Sequence, residues 1–216
     1  MRHDAVEWIP LFPEEEIPFI LATVLRCGSN LRKRFDNERE NKLSDRLRLF
    51  LVRDPAFRES RLKVDREIQV YRDDAENEDP VGRLDFRFLS PNPIHETDWH
   101  FVIEAKRLHV AFPKKGWQSL ISAYVTGHQG MMCFIDERYA RGLTSGGMLG
   151  YVFDGQIEKA RAGVGASIAA NHHQLKCSHS TPFAPSLVLT GESRISESAH
   201  SLPQGAFMIY HLFLAV

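Results

Sequence analysis

Asp85, Glu104, Lys106 and Glu40 occupy positions where the surrounding pattern calls for apolar side chains. In RLDFRFL (83–89), Leu84, Phe86 and Phe88 share one strand face, which leaves Arg83, Asp85 and Arg87 on the other. In WHFVIEAKRLHV (99–110), Phe101, Ile103 and Ala105 point one way, and Val102, Glu104 and Lys106 the other. That segment is apolar on both faces as far as Glu104, so it reads as an interior strand, where an acid and a lysine require compensating partners. Glu40 precedes Leu43 by three residues and Leu47 by seven, which puts its carboxylate on the packing stripe of a helix. Grouped carboxylates repel one another unless some are protonated or a cation lies between them. Oxygen-only ligands favour Mg²⁺ or Mn²⁺ over zinc. Such an ion can draw charge from a phosphodiester and hold a water, with Lys106 orienting that nucleophile. The plainer alternative is a structural ion pair of Glu104 with Lys106 or Arg87.

Placing these residues together requires particular elements. The spacing predicts a helix over 14–27, ended by Gly28, and a second over 30–52, with Pro55 just beyond and Leu43, Leu47, Phe50 and Leu51 as its buried stripe. Strict alternation predicts one strand over 62–71. A hairpin follows, with strands 83–89 and 99–110 joined by the surface loop SPNPIHETD. Next come a helix over 115–125, a strand over 130–136, a turn at Gly146 and Gly147, a helix over 156–170, and closing strands over 186–190 and 206–216. The expected architecture is an α/β sandwich with a mixed central sheet flanked by helices.

Asp85, then Glu104-Ala105-Lys106 on the next strand after an 18-residue gap, preceded by a helix carrying Glu40, resembles the PD-(D/E)XK nuclease superfamily. The resemblance implies a restriction-endonuclease-like αβββαβ core, with an extra C-terminal helix and strands. It implies one nuclease-like domain over 1–216, made of an N-terminal helical extension (1–30), a catalytic core (38–135) and a C-terminal completion of the sandwich (136–216). It carries catalytic roles onto Asp85, Glu104, Lys106 and Glu40, with metal ligation by Asp85, Glu104, Glu40 and the carbonyl of Ala105. The implied cofactor is Mg²⁺, for which Mn²⁺ can substitute. The proline that gives the family its name is absent, Leu84 standing before Asp85. Glu67 is an alternative accessory acid, and Glu38 falls off the helix stripe and reads as solvated. Arg83, Arg87, Arg107, Gln118 and Tyr124 are the residues expected to touch substrate.

The chain has 216 residues, 27 basic and 28 acidic, with 43% hydrophobic residues, which excludes disordered, collagen-like and strongly basic histone-like classes. Residues 31–73 carry 13 Lys/Arg against 9 Asp/Glu, and 74–80 add four acids and no base. That asymmetry suits a solvated helix face as well as a phosphate-tracking one. Three widely spaced Cys and no long apolar run point to a reduced, cytoplasmic protein with no membrane association. His172, His173, Cys177 and His179 fit no established zinc spacing, and His211 reads as a hydrogen-bonded core histidine. Gly163-Val164-Gly165 lacks the third glycine and preceding strand of a dinucleotide site. No DNA-reading module is recognisable, so a DNA substrate would be selected through a homodimer or a protein partner, as in prokaryotic restriction and anti-phage systems. The competing expectation is a catalytically silent, nuclease-like subunit that binds nucleic acid or supports assembly.

Overall fold

The computed structural model describes residues 12–71, 80, 82–91, 99–139, 141–179 and 181–216. The acidic run and most of the hairpin loop expected from the sequence lie outside those residues. In chain order the elements are a 3₁₀ turn (Glu14–Glu16), α1 (Ile17–Gly28), α2 (Glu40–Arg53), α3 (Pro55–Glu59), β1 (Lys63–Asp65), β2 (Ile68–Val70), β3 (Gly82–Leu84), β4 (Phe86–Ser90) and β5 (Trp99–Leu108). There follow β6 (Val110–Phe112), β7 (Gly116–Gln118), α4 (Ile121–Val125), α5 (Met132–Ile135), β8 (Ser145–Val152), α6 (Ile157–Ala170), β9 (Ala184–Pro185), β10 (Ile195–Leu202) and β11 (Gly205–Ala215). The α/β class and the mixed, helix-flanked sheet agree with the sequence. Among the described residues no helix is long and apolar enough to cross a membrane.

The main sheet runs β1-β4-β5-β8-β11-β10-β9. β4 lies antiparallel to β5, with Phe86 opposite Ile103, whereas β8 lies parallel to β5, with Ile103 opposite Gly147 and Leu108 opposite Val152. Period-two alternation sorts the apolar side chains onto two faces. Phe86, Phe88, Phe101, Ile103 and Ala105 join Leu21, Leu25, Leu43, Leu47 and Leu51 in one core beneath α1 and α2. Val102, Leu108, Met148 and Phe213 join Tyr124, Val164 and Ile168 in a second core beneath α4 and α6. Leu84 belongs to this second core, not to the face of Phe86 and Phe88, because the strand breaks at Asp85 between β3 and β4.

Other departures have similar tertiary causes. α2 starts at Glu40, not near residue 30, because Glu38 accepts two hydrogen bonds from Arg46 and one from the Arg34 N–H, which fixes the preceding segment as a loop. Pro55 opens α3, whose first turn is capped by Asp54 accepting from the Phe57 N–H at 3.0 Å. The single strand expected over 62–71 is two, separated at Glu67, whose φ is 57°. Residues 116–118 pair with β6 as a hairpin instead of opening a helix, with Gly116 at φ 63° supplying the left-handed turn.

The segment expected as a strand over 130–136 is helical at α5, with Cys133, Phe134 and Ile135 all buried. Short apolar runs do not distinguish the two states. The Gly146–Gly147 pair, expected as a turn, lies inside the fully buried strand β8. A Cβ at Gly146 would stand 2.6 Å from the Phe134 ring and one at Gly147 2.8 Å from Ile103, so these glycines give room to neighbours. The strand of the main sheet that follows β5 in the chain is therefore 145–152. Residues 186–190 form a turn, held by the Glu197 carboxylate accepting the Leu187 N–H at 2.8 Å. The strand sits at β10, where Ser198 bridges buried His200 and His211, each at 2.7 Å. Gly28 closes α1 without a left-handed cap, its missing side chain making room for Leu214.

The crowding at β8 predicts that Gly146→Ala destabilises the fold by about 1–3 kcal/mol, as expected for an overpacked core. Equilibrium denaturation should show this loss reduced when Phe134 is also shortened to Leu.

Candidate active site

β5 runs to Leu108, but β4 begins only opposite Ile103, and among the described residues no strand pairs with the β4 side of β5 beyond that point. The backbone N–H groups of Ala105 and Arg107 therefore face an open notch, and each needs an acceptor. Two carboxylates supply them. Asp85 Oδ2 accepts from the Ala105 N–H at 2.9 Å, and Glu40 Oε2 accepts from the Arg107 N–H at 2.9 Å. Asp85 gets there because the chain breaks between β3 and β4. Glu40 does so as the first residue of α2.

Lys106 fills the space between them. Its Nζ lies 2.7 Å from Glu104 Oε1, 2.6 Å from the Ala105 carbonyl oxygen, 3.3 Å from Glu40 Oε1 and 3.9 Å from Asp85 Oδ2. A second cation, unforeseen in the sequence, is Arg66. Its Nε donates to the Asp85 carbonyl at 3.1 Å, its Nη1 donates to the Asn41 carbonyl and pairs with Asp45, and its Nη2 lies 3.8 Å from Asp85 Oδ1. Local sequence gave no sign of this, because Arg66 reaches the notch only through the kink at Glu67.

Asp85, Glu104, Glu40 and the Asp45 that pairs with Arg66 outnumber the two cations, so negative charge is in excess if all are ionised. Burial, reinforced by Asp85, holds the Glu104 carboxyl well above the ordinary range. Burial likewise raises Glu40. For Lys106 burial works against the charge, but Glu104, Glu40 and Asp85 outweigh it and keep the ammonium protonated. Glu104 is only 3% exposed, and its Oε2 is buried with no hydrogen-bond partner.

Among the described residues no three His, Cys, Asp or Glu side chains form a group ready to hold a metal. The ammonium of Lys106 supplies the positive charge between the acids. The donor chemistry nevertheless fits a hard divalent ion: Asp85, Glu104, Glu40 and the Ala105 carbonyl offer only oxygens, and one of those oxygens is buried and unsatisfied.

The remaining expectations divide. Asp85, Glu104, Lys106, Glu40 and the Ala105 carbonyl are brought together. Glu38 is not solvated but buried at 2% exposure, bound through both oxygens to Arg46. Glu67 lies at the border of the notch, 3.8 Å from the Arg66 Nη2 that also approaches Asp85, with its other oxygen 3.9 Å from Arg83. Arg83 is exposed, whereas Arg87 pairs with Asp65 at 3.1 Å. Arg107 anchors the loop before α2 by donating to the Asn37 and Glu38 carbonyls. Gln118 is half-buried and donates to the Lys115 and Trp117 carbonyls.

Tyr124 cannot touch substrate in this fold. It is fully buried, donates to the Met148 carbonyl at 3.2 Å and lies 3.1 Å from His211 Nδ1, consistent with a hydrogen-bonded core histidine at 211. Cys177 faces His200 at 3.9 Å, while the rings of His172 and His173 pack on each other. Gly163 and Gly165 lie within α6.

No family model matches this chain, and no curated protein or solved structure matches it either.

Removing the central cation strands three acids. Lys106→Met should cost about 3–5 kcal/mol in metal-free protein, as for a broken buried ion pair. Chemical denaturation with EDTA and with Mn²⁺ should show the loss shrinking when the divalent ion is present.

Proposed function

We propose that this chain is a divalent-metal-dependent nuclease of the PD-(D/E)XK type that hydrolyses phosphodiester bonds of DNA. The observation that carries this reading is the meeting of Asp85, Glu104, Glu40, Lys106 and the Ala105 carbonyl at one notch, with a buried Glu104 oxygen left unpartnered. The order α2, β1, β4, β5, α4, β8, with β5 antiparallel to β4 and parallel to β8, supports a restriction-endonuclease-like αβββαβ core. On this reading the last strand of that core is β8, in place of the strand expected over 130–136.

Asp85 and Glu40 are held rigidly, because each also accepts a backbone N–H of β5. Fixed carboxylates cost little reorganisation when a cation or a phosphate arrives. Lys106 stays charged in this acidic setting, so it acts as a donor that orients the attacking water and faces the phosphate's developing negative charge, not as a general base. Mg²⁺, or Mn²⁺ in its place, would supply Lewis-acid polarisation of the phosphodiester when bound between these oxygens. Cutting a duplex on both strands calls for a homodimer or a protein partner. Membership of a prokaryotic restriction or anti-phage system, in the cytoplasm, is analogy with nucleases of this type.

A second reading is a catalytically silent, nuclease-like subunit for nucleic-acid binding or assembly. The 2.7 Å contact of Lys106 with Glu104 favours it, since the pair partly neutralises itself without a metal.

Asp85→Ala and Lys106→Ala should each lower Mg²⁺-dependent DNA cleavage by at least about 100-fold while the circular dichroism stays native. Undiminished cleavage by either variant would refute this site, and absence of cleavage by the wild-type protein across duplex and single-stranded DNA would favour the silent subunit.

A further inference from the structure

A second feature lies at the same end of β5. β5 stops where His109 turns at φ 53°, three residues and about 10 Å of strand beyond Lys106. Beyond that turn opens a hollow of about 590 Å³, lined by Lys33, Trp117, Gln118, Phe153, Gln156 and Lys159 among others. Trp117 sits on β7 and is 55% exposed, far more than a ring of that size shows in a packed surface. Lys33 Nζ stands 5.7 Å from its ring centroid and 5.6 Å from that of Phe153, donates to the Phe153 carbonyl and pairs with exposed Asp36 at 3.3 Å, a partner a phosphate would have to displace. The acid of the hollow, Asp154, is engaged by His109 at 3.0 Å.

One segment of chain links the hollow to the acidic notch. The segment joining α1 to α2 carries Lys33 at the hollow, then exposed Phe35, then Asn37 and Glu38, whose carbonyls are held by Arg107, and ends at Glu40 in the notch. An open aromatic face flanked by lysines, leading to a phosphate-cleaving site, is the arrangement that receives unpaired bases: the ring stacks on any base and the ammonium groups follow the backbone. In a blunt duplex only the two terminal base pairs present a free face, and every internal base is covered on both sides.

We propose that Trp117 is a stacking platform for an unpaired DNA base next to the scissile bond, which would make the substrate a strand with a single-stranded stretch. This rests on the nuclease reading for its orientation toward the notch. Lys33 and Lys159 serve the adjoining phosphates.

The test is equilibrium binding, in EDTA, of a short fluorescein-labelled single-stranded oligodeoxynucleotide and of its blunt duplex, followed by fluorescence anisotropy of the label for the wild type, Trp117→Ala and Trp117→Phe, with tryptophan quenching recorded for the wild type. The wild type should bind the single strand more tightly than the duplex, with quenching. Trp117→Ala should bind the single strand about 5- to 100-fold more weakly, the size of one base stack. Trp117→Phe should recover most of the affinity. The ring is exposed, so neither variant removes core contacts. Single-strand affinity unchanged in Trp117→Ala, or equal affinity for the blunt duplex, would overturn the proposal. Mg²⁺-dependent cleavage measured in parallel separates the two readings. Trp117-dependent binding without cleavage leaves the platform and removes the nuclease. Cleavage with Trp117-independent binding does the reverse.

Discussion

The site depends on two backbone N–H groups that the sheet leaves unpaired. β5 outruns its neighbour β4, so Ala105 and Arg107 point their amides into a notch where, among the described residues, no strand supplies carbonyls. A hydrogen bond from a backbone amide to a carboxylate is worth about 1.5–3 kcal/mol, and an unpaired buried amide costs a comparable amount. Asp85 and Glu40 meet that demand from two different elements. The same bonds that finish the sheet therefore fix two acids beside the Glu104 that the strand itself carries.

Charge concentrated in this way must be balanced, and the protein balances it locally. Lys106 lies among Glu104, Glu40 and the Ala105 carbonyl, and Arg66 approaches Asp85 from the outer side. The balance is incomplete, with burial pushing both Glu104 and Glu40 up. A divalent ion would relieve that strain, which is the physical link between the fold and the proposed chemistry. The β6–β7 hairpin and the α1–α2 segment extend the same end of the sheet into a cationic, aromatic hollow.

The acids and lysine of the site were legible because they interrupt strong alternation on interior strands. Glu104 and Lys106 in FVIEAK stand out against apolar neighbours, and Glu40 keeps helical register with Leu43 and Leu47. Where the reading went astray, distant contacts decided the outcome. Gly146 and Gly147 read as a turn until Phe134 and Ile103 are seen to need their space. β10 gave no alternating signal, because its inward residues, Ser198 and His200, are polar and satisfied by His211 and the Leu175 carbonyl. Tyr124 read as a substrate contact, but α4 turns it into the second core. Arg66 and Trp117 acquire their roles only from the kink at Glu67 and the hairpin at Gly116, neither of which a propensity argument foresees.

The most direct measurement is anomalous diffraction from crystals soaked in Mn²⁺. The account predicts one strong peak about 2–2.5 Å from oxygens of Asp85 and Glu104 and from the Ala105 carbonyl, with the Lys106 ammonium displaced from that carbonyl. A map with no peak in the notch, and Lys106 still bonded to Glu104 and Ala105 at saturating Mn²⁺, would contradict it.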